Sequence, residues 1–127
     1  MADPGINSTL RGLRVLIVED EVLVAMELEY VLEQQGCTVL GPAATVDRAV
    51  ALIGEGRPDL AVLDLNLRGQ SGLPVATALT GRGVPFLVLS GYSETQLQAP
   101  ELSRAPRLPK PVDHGRLLGE LTRLLAS

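Results

Sequence analysis

The sequence predicts an α/β fold, an open five-stranded parallel sheet with helices on both faces, and three observations support it. Four short runs, LRVLIV (13–18), TVLGPA (38–43), DLAVLD (59–64) and VPFLVLS (84–90), carry the strand signal. Three of them are nearly continuous in apolar residues, as strands covered on both faces are. Helical patterns lie between them, so strand and helix alternate along the chain, which implies right-handed crossovers. The composition suits this architecture: 46% of residues are hydrophobic but only 2% aromatic, so Leu, Val, Ile and Ala must fill the interior without tryptophan.

Residues 1–11 read as an N-terminal tail and 12–127 as one domain, within the usual single-domain length. After the first strand, EVLVAMELEYVLEQQG (21–36) groups Val24, Leu28, Val31 and Leu32 at helical spacing, sets Glu29 and Glu33 one turn apart, and stops at Gly36 as a C-terminal cap. TVDRAVALIGEG (45–56) and GLPVATALTGRG (72–83) are shorter helices, each ended by Gly-x-Gly, and VDHGRLLGELTRLLA (112–126) closes the chain. The fifth strand, APRLP (105–109), is short and ends in proline, which suits a sheet edge or a strand terminus. The segment before it, GYSETQLQAPELSRAP (91–106), carries Pro100 mid-way and is expected to hold a short or mobile helix.

A net charge of −4 and a pI near 4.9 argue against a direct nucleic-acid binder, which would present a basic face. Cys37 is alone, excluding an internal disulfide and a cysteine-cluster metal site, and reads as a small buried hydrophobe. The start has no apolar stretch behind basic residues, and eighteen apolar residues never run together. No membrane insertion and a soluble cytoplasmic protein are expected.

Open parallel sheets bind ligands beyond the carboxyl ends of their strands, so the residues just after each apolar run matter most. Strand one ends in Glu19 and Asp20, strand three in Asp64, strand four in Ser90, and strand five near Lys110, the single lysine beside ten arginines. Carboxylates sharing a crevice repel and require a proton or a cation, and a few oxygen ligands suit Mg²⁺, which keeps waters and recruits phosphate oxygens. With a hydroxyl and a compact ammonium added, the set suits receipt of a phosphoryl group, where positioning and charge stabilisation dominate. Asp64, alone at the end of the central run, is the expected covalent acceptor; Glu19 and Asp20 are suited to the metal; Ser90 and Lys110 would each meet a phosphoryl oxygen. Singly, Asp20 as a helix cap, Asp64 as a turn former, Ser90 as a turn residue and Lys110 as a solvated charge are duller readings. Their joint placement at strand ends favours a site.

These residues resemble the receiver domain of two-component response regulators over Leu13 to Leu125: VLIVEDE with Glu19 and Asp20, LAVLDLNLRGQSG with Asp64, FLVLSGY with Ser90, and PKP with Lys110. The resemblance implies the flavodoxin-like receiver fold with strand order 2-1-3-4-5, a Mg²⁺ shell that includes the Asn66 backbone carbonyl, and a cis bond before Pro111. It also implies a histidine kinase or phosphotransfer protein as phosphodonor. Two positions depart from the pattern. Arg107 stands where receivers commonly carry a switching Tyr or Phe. PFLVLSGY is similar to the Phe-Ala-Thr-Gly-Tyr motif of a subgroup associated with HWE and related histidine kinases, but Leu, Val or Leu, and Ser stand where that motif has Phe, Ala and Thr, leaving Gly91 and Tyr92 as the firm matches. There, Gly91 would leave space above Asp64, while Tyr92 and Asn66 would govern water access.

The expected function is a phospho-acceptor switch with output through protein contacts to a downstream partner, since the sequence shows no output domain. It would not be an enzyme beyond its own phosphoryl uptake and autodephosphorylation. The rival is a receiver-like binding module that works without phosphorylation; a hydrolase on the same sheet would need a further acid/base residue, and none is visible.

Overall fold

The structure is a computed structural model and describes residues 9–90, 102 and 104–126. Strands β1 (Arg14–Val18), β2 (Thr38–Ala43), β3 (Leu60–Asp64), β6 (Phe86–Ser90) and β7 (Arg107–Pro109) form one parallel sheet in the order β2-β1-β3-β6-β7. That is the expected order, with β6 and β7 as the fourth and fifth strands of the main sheet. A two-stranded antiparallel pair, β4 (Asn66–Leu67) and β5 (Gln70–Ser71), comes after β3 and had no strand signal in the sequence. Four helices can be bounded among the described residues: α1 (Val22–Gln34), α2 (Val46–Gly56), α3 (Leu73–Gly81) and α4 (His114–Ala126).

All five residues of β3 and all five of β6 are buried. Because successive side chains of a strand point to opposite faces, each central strand feeds two cores. On one face Leu16, Val18, Ala61, Leu63 and Val88 join Ala49, Ile53, Val75, Ala76 and Leu79 of α2 and α3. On the other Val15, Ile17, Val62, Leu87 and Leu89 join Leu28, Val31 and Leu32 of α1 and Leu117 and Leu121 of α4.

Side-chain caps start two of the helices, and α1 ends at the glycine expected there. Thr45 accepts a hydrogen bond from the Arg48 amide at 3.2 Å and caps α2, and Asp113 accepts one from the Arg116 amide at 3.0 Å before α4. Gly36, with φ of +84°, lies just past the last turn of α1 and donates to the Glu33 carbonyl. Val24 is half-buried rather than core, and Ala25 takes a place on the inner face beside Leu28.

β7 is three residues long and lies at the edge, where Pro109, lacking an N–H, is tolerated. The Lys110–Pro111 bond is cis, as the resemblance implies, and Gly41–Pro42 is cis as well. Leu10, inside the stretch read as tail, is fully buried in the second core; the Cys37 thiol donates to its carbonyl at 3.4 Å and Gly12 N–H to the Gly36 carbonyl. A lone leucine among polar residues has no periodicity by which a sequence reading can find it. Burial raises the Cys37 thiol above its ordinary range, in keeping with an inert hydrophobe. The expectation of a short or mobile helix after Ser90 falls mostly on 91–101, outside the described residues. Among the described residues no helix is long and apolar enough to cross a membrane.

Candidate functional site

Parallel pairing brings the carboxyl ends of the strands together. Val18 pairs with Leu63, Asp64 with Leu89 and Ser90 with Pro109, so the residues just beyond β1, β3, β6 and β7 share one rim. Carboxylate oxygens of Glu19, Asp20 and Asp64 lie within 4.8 Å of one another there. The Lys110 ammonium stands among the acids, 2.8 Å from Glu19 Oε1, 3.0 Å from Asp64 Oδ2 and 3.1 Å from Glu21 Oε1. Ser90 is buried at the end of β6, and its carbonyl accepts from the Lys110 amide at 3.2 Å.

The loop after β3 is held over the acids by its own backbone. Asn66 N–H donates to Asp64 Oδ1 at 3.1 Å, Arg68 N–H to Asp20 Oδ2 at 3.0 Å, and Gly69 N–H to the Asn66 side-chain oxygen at 3.0 Å. Arg68 and Gly69 form the tip of the β4–β5 hairpin, both at positive φ, +52° and +81°, as a two-residue hairpin turn requires. Gly72 has a different reason to be glycine: a Cβ there would sit 2.9 Å from the Asp64 carbonyl oxygen. Asp64 thus does begin a turn, through its bond to Asn66 N–H. Asp20 does not cap α1, because its carboxylate is committed to the hairpin.

Electrostatics at the rim are those of acids crowded around one cation. Burial, and next a hydrogen bond shared with Asp64, push the Glu19 carboxyl up to about 7, against the lowering effect of Lys110. Burial alone would lower the Lys110 ammonium, but its ion pairs with Glu19, Asp64 and Glu21 outweigh this and hold it above the ordinary lysine range. Glu19 Oε2 accepts from Glu21 N–H at 3.1 Å, whereas Glu19 Oε1, buried, has the ammonium close by without a directed hydrogen bond. A buried carboxylate oxygen with unused acceptor capacity, beside two further carboxylates, suits a small hard divalent cation such as Mg²⁺.

The geometry gathers Glu19, Asp20, Asp64 and Lys110 into one crevice, with Asn66 and Ser90 adjoining. Arg107 is exposed on β7 and takes no buried place of the kind an aromatic ring would fill. Gly91 and Tyr92 lie outside the described residues. His114 is exposed and pairs with Glu27 of α1. Glu21 is the site residue that sequence reasoning missed; its signal was there, as the third acid of Glu19-Asp20-Glu21, but it reads first as the start of a helix.

A family model described as "Response regulator receiver domain" matches residues 15–122. The sensory transduction protein LytT of Bacillus cereus is 32% identical over 114 residues, which is 87% of this chain and 46% of that protein. The chain therefore spans about half the length of that relative. Among solved structures, the signal receiver domain of a modulated diguanylate cyclase from Desulfovibrio desulfuricans G20 superposes with a TM-score of 0.80 at 30% identity, covering 91% of this chain and 94% of that one. SdrG from Sphingomonas melonis Fr1 is 39% identical with a TM-score of 0.75, covering 94% and 99% of the two chains.

Proposed function

The chain belongs to the response regulator receiver family, and from that premise we propose that it is a phospho-acceptor switch in which Asp64 receives the phosphoryl group. The observation that carries this reading is the Lys110 ammonium 3.0 Å from Asp64 Oδ2, in the same crevice as the Glu19, Asp20 and Asp64 carboxylates. An Asp64 oxygen attacks phosphorus, the P–N bond of a donor phosphohistidine breaks, and the imidazole departs with the bonding pair. Lys110 neutralises one phosphoryl oxygen as a point charge, and the Ser90 hydroxyl donates to another. Glu19, Asp20, Asp64 and the Asn66 backbone carbonyl would hold Mg²⁺, which when bound supplies charge neutralisation at the phosphoryl oxygens.

Lys110 also ties the site to the sheet, because its amide bonds the Ser90 carbonyl where β6 and β7 end. When the ammonium exchanges a carboxylate for a phosphoryl oxygen, the ends of both strands feel the change, and output passes through protein contacts there and at α4. The donor we propose is a histidine kinase or a phosphotransfer protein. Val22, Leu23, Met26 and Tyr30 support helical docking: they form an exposed apolar face on α1 that starts two residues beyond Asp20. The HWE kinase type rests on Gly91 and Tyr92 in the sequence motif alone, and a cytoplasmic location is part of the same proposal.

Incubation with acetyl phosphate and Mg²⁺ tests the reading. One acid-labile phosphoryl group is expected on the wild type and none on Asp64→Asn. Persistence of the adduct in that variant overturns the assignment, and failure of the wild type to bind Mg²⁺ at millimolar concentration favours a module that works without phosphorylation.

A further inference from the structure

Glu21 sits at the N-cap of α1, yet it does not act as a cap. Its side chain accepts no hydrogen bond from the first turn, unlike Thr45 on α2, and glutamate is not among the residues favoured at that position. Instead its Oε1 reaches 3.1 Å to the Lys110 ammonium, 89 residues away in the chain. The Glu21 side chain is 61% exposed, so this ion pair adds little to stability and folding energy does not account for it.

The other two partners of Lys110, Glu19 Oε1 and Asp64 Oδ2, belong to the cluster that suits a divalent cation. An ammonium and a divalent ion repel strongly at such separations in a partly buried crevice, so Lys110 must give up at least one of these oxygens when the ion enters. Glu21 lies outside that three-residue cluster and remains available as a counter-ion.

Resting on the receiver reading, we propose that Glu21 is a positioning residue: it retains the Lys110 ammonium at the rim while Mg²⁺ holds Glu19 and Asp64, so that the lysine is in place when the phosphoryl group arrives. The Glu21–Lys110 contact then matters more with Mg²⁺ bound than without it, because in the metal-free protein two other carboxylates share the ammonium.

The test is a double-mutant cycle on Mg²⁺ affinity, measured by calorimetric titration of the whole chain, with the Lys110 side-chain ammonium monitored by nitrogen NMR. Glu21→Gln is expected to weaken Mg²⁺ binding about threefold more when Lys110 is present than in the Lys110→Met background. Glu21→Asp is expected to restore part of the loss, and the ammonium signal of the Mg²⁺-loaded protein is expected to broaden by solvent exchange in Glu21→Gln but not in the wild type. An equal loss in both backgrounds reduces Glu21 to one more negative charge and overturns the proposal while the receiver reading stands. A wild type that binds no Mg²⁺ overturns both.

Discussion

Lys110 Nζ and Asp64 Oδ2 are 3.0 Å apart although 46 residues separate them in the chain. The contact joins the edge strand to the centre of the sheet and places the chain's single lysine against the proposed acceptor. Its energetics govern the first expectation.

Removing the ammonium leaves buried carboxylates without their compensating charge. Lys110→Met is therefore expected to lower stability at neutral pH by about 3 kcal/mol in the presence of a chelator, and saturating Mg²⁺ is expected to return most of it. Thermal unfolding with and without Mg²⁺ measures both quantities. Equal losses in the two conditions would show that Lys110 does not share the metal's oxygens.

The raised Glu19 carboxyl sets a pH dependence. Its pKa goes from an ordinary 4.5 to about 7 in the folded protein, so between these values the folded state holds a proton that the unfolded chain has lost. Stability contributed by this group is full below pH 4.5 and is lost as pH rises through 7. In chelator, the stability of the wild type relative to Glu19→Gln is expected to fall by up to about 3 kcal/mol from the acid to the alkaline end of that window. Denaturant midpoints across the window check the sign; a relative stability that rises with pH would contradict the burial-driven cause.

The same proton is expected to govern Mg²⁺ affinity. A protonated Glu19 is a poor ligand, so Mg²⁺ binding is expected to tighten by up to about tenfold per pH unit below 7 and to level off above it, with proton release on binding. Titration in two buffers of different ionisation enthalpy measures the protons released.

The two loop glycines separate strain from crowding. Gly72→Ala puts a methyl group 2.9 Å from the Asp64 carbonyl oxygen, so it is expected to cost about 1–3 kcal/mol and to slow phosphoryl uptake by displacing the loop. Gly69→Ala meets nothing within 4 Å and is strained only through its φ of +81°, a cost of about 1 kcal/mol. Equilibrium unfolding together with uptake from acetyl phosphate distinguishes them.

Along α1 the two faces have different duties. Leu28→Ala, in the core, is expected to cost about 3 kcal/mol, while Leu23→Glu, at a side chain 80% exposed, changes stability by less than about 0.5 kcal/mol. If the exposed face docks the donor, the same Leu23→Glu change slows transfer from a phosphohistidine-bearing protein.

The strands of the main sheet, the core helices and the strand-end acids were legible in the sequence because each depends on local pattern. Apolar runs such as Leu60–Leu63 and Phe86–Leu89 declare strands buried on both faces, and a polar residue ending such a run declares the rim. Local pattern fails where a partner is remote. The β4–β5 hairpin carries no apolar alternation, and its bond from Arg68 N–H to Asp20 spans 48 residues. Leu10 is a single apolar residue whose burial depends on what lies above it.

The α/β layering, the strand ends at which charge collects and the kinds of side chain found there follow from residue order, because periodicity and residue chemistry act over a few neighbours. It takes the folded chain to set Lys110 among Glu19, Asp64 and Glu21, to raise the Glu19 carboxyl to about 7, and to turn Glu21 toward the site instead of capping its helix. Coulomb energy and desolvation depend on distances of a few ångströms between groups tens of residues apart, and those distances exist only once the sheet has paired.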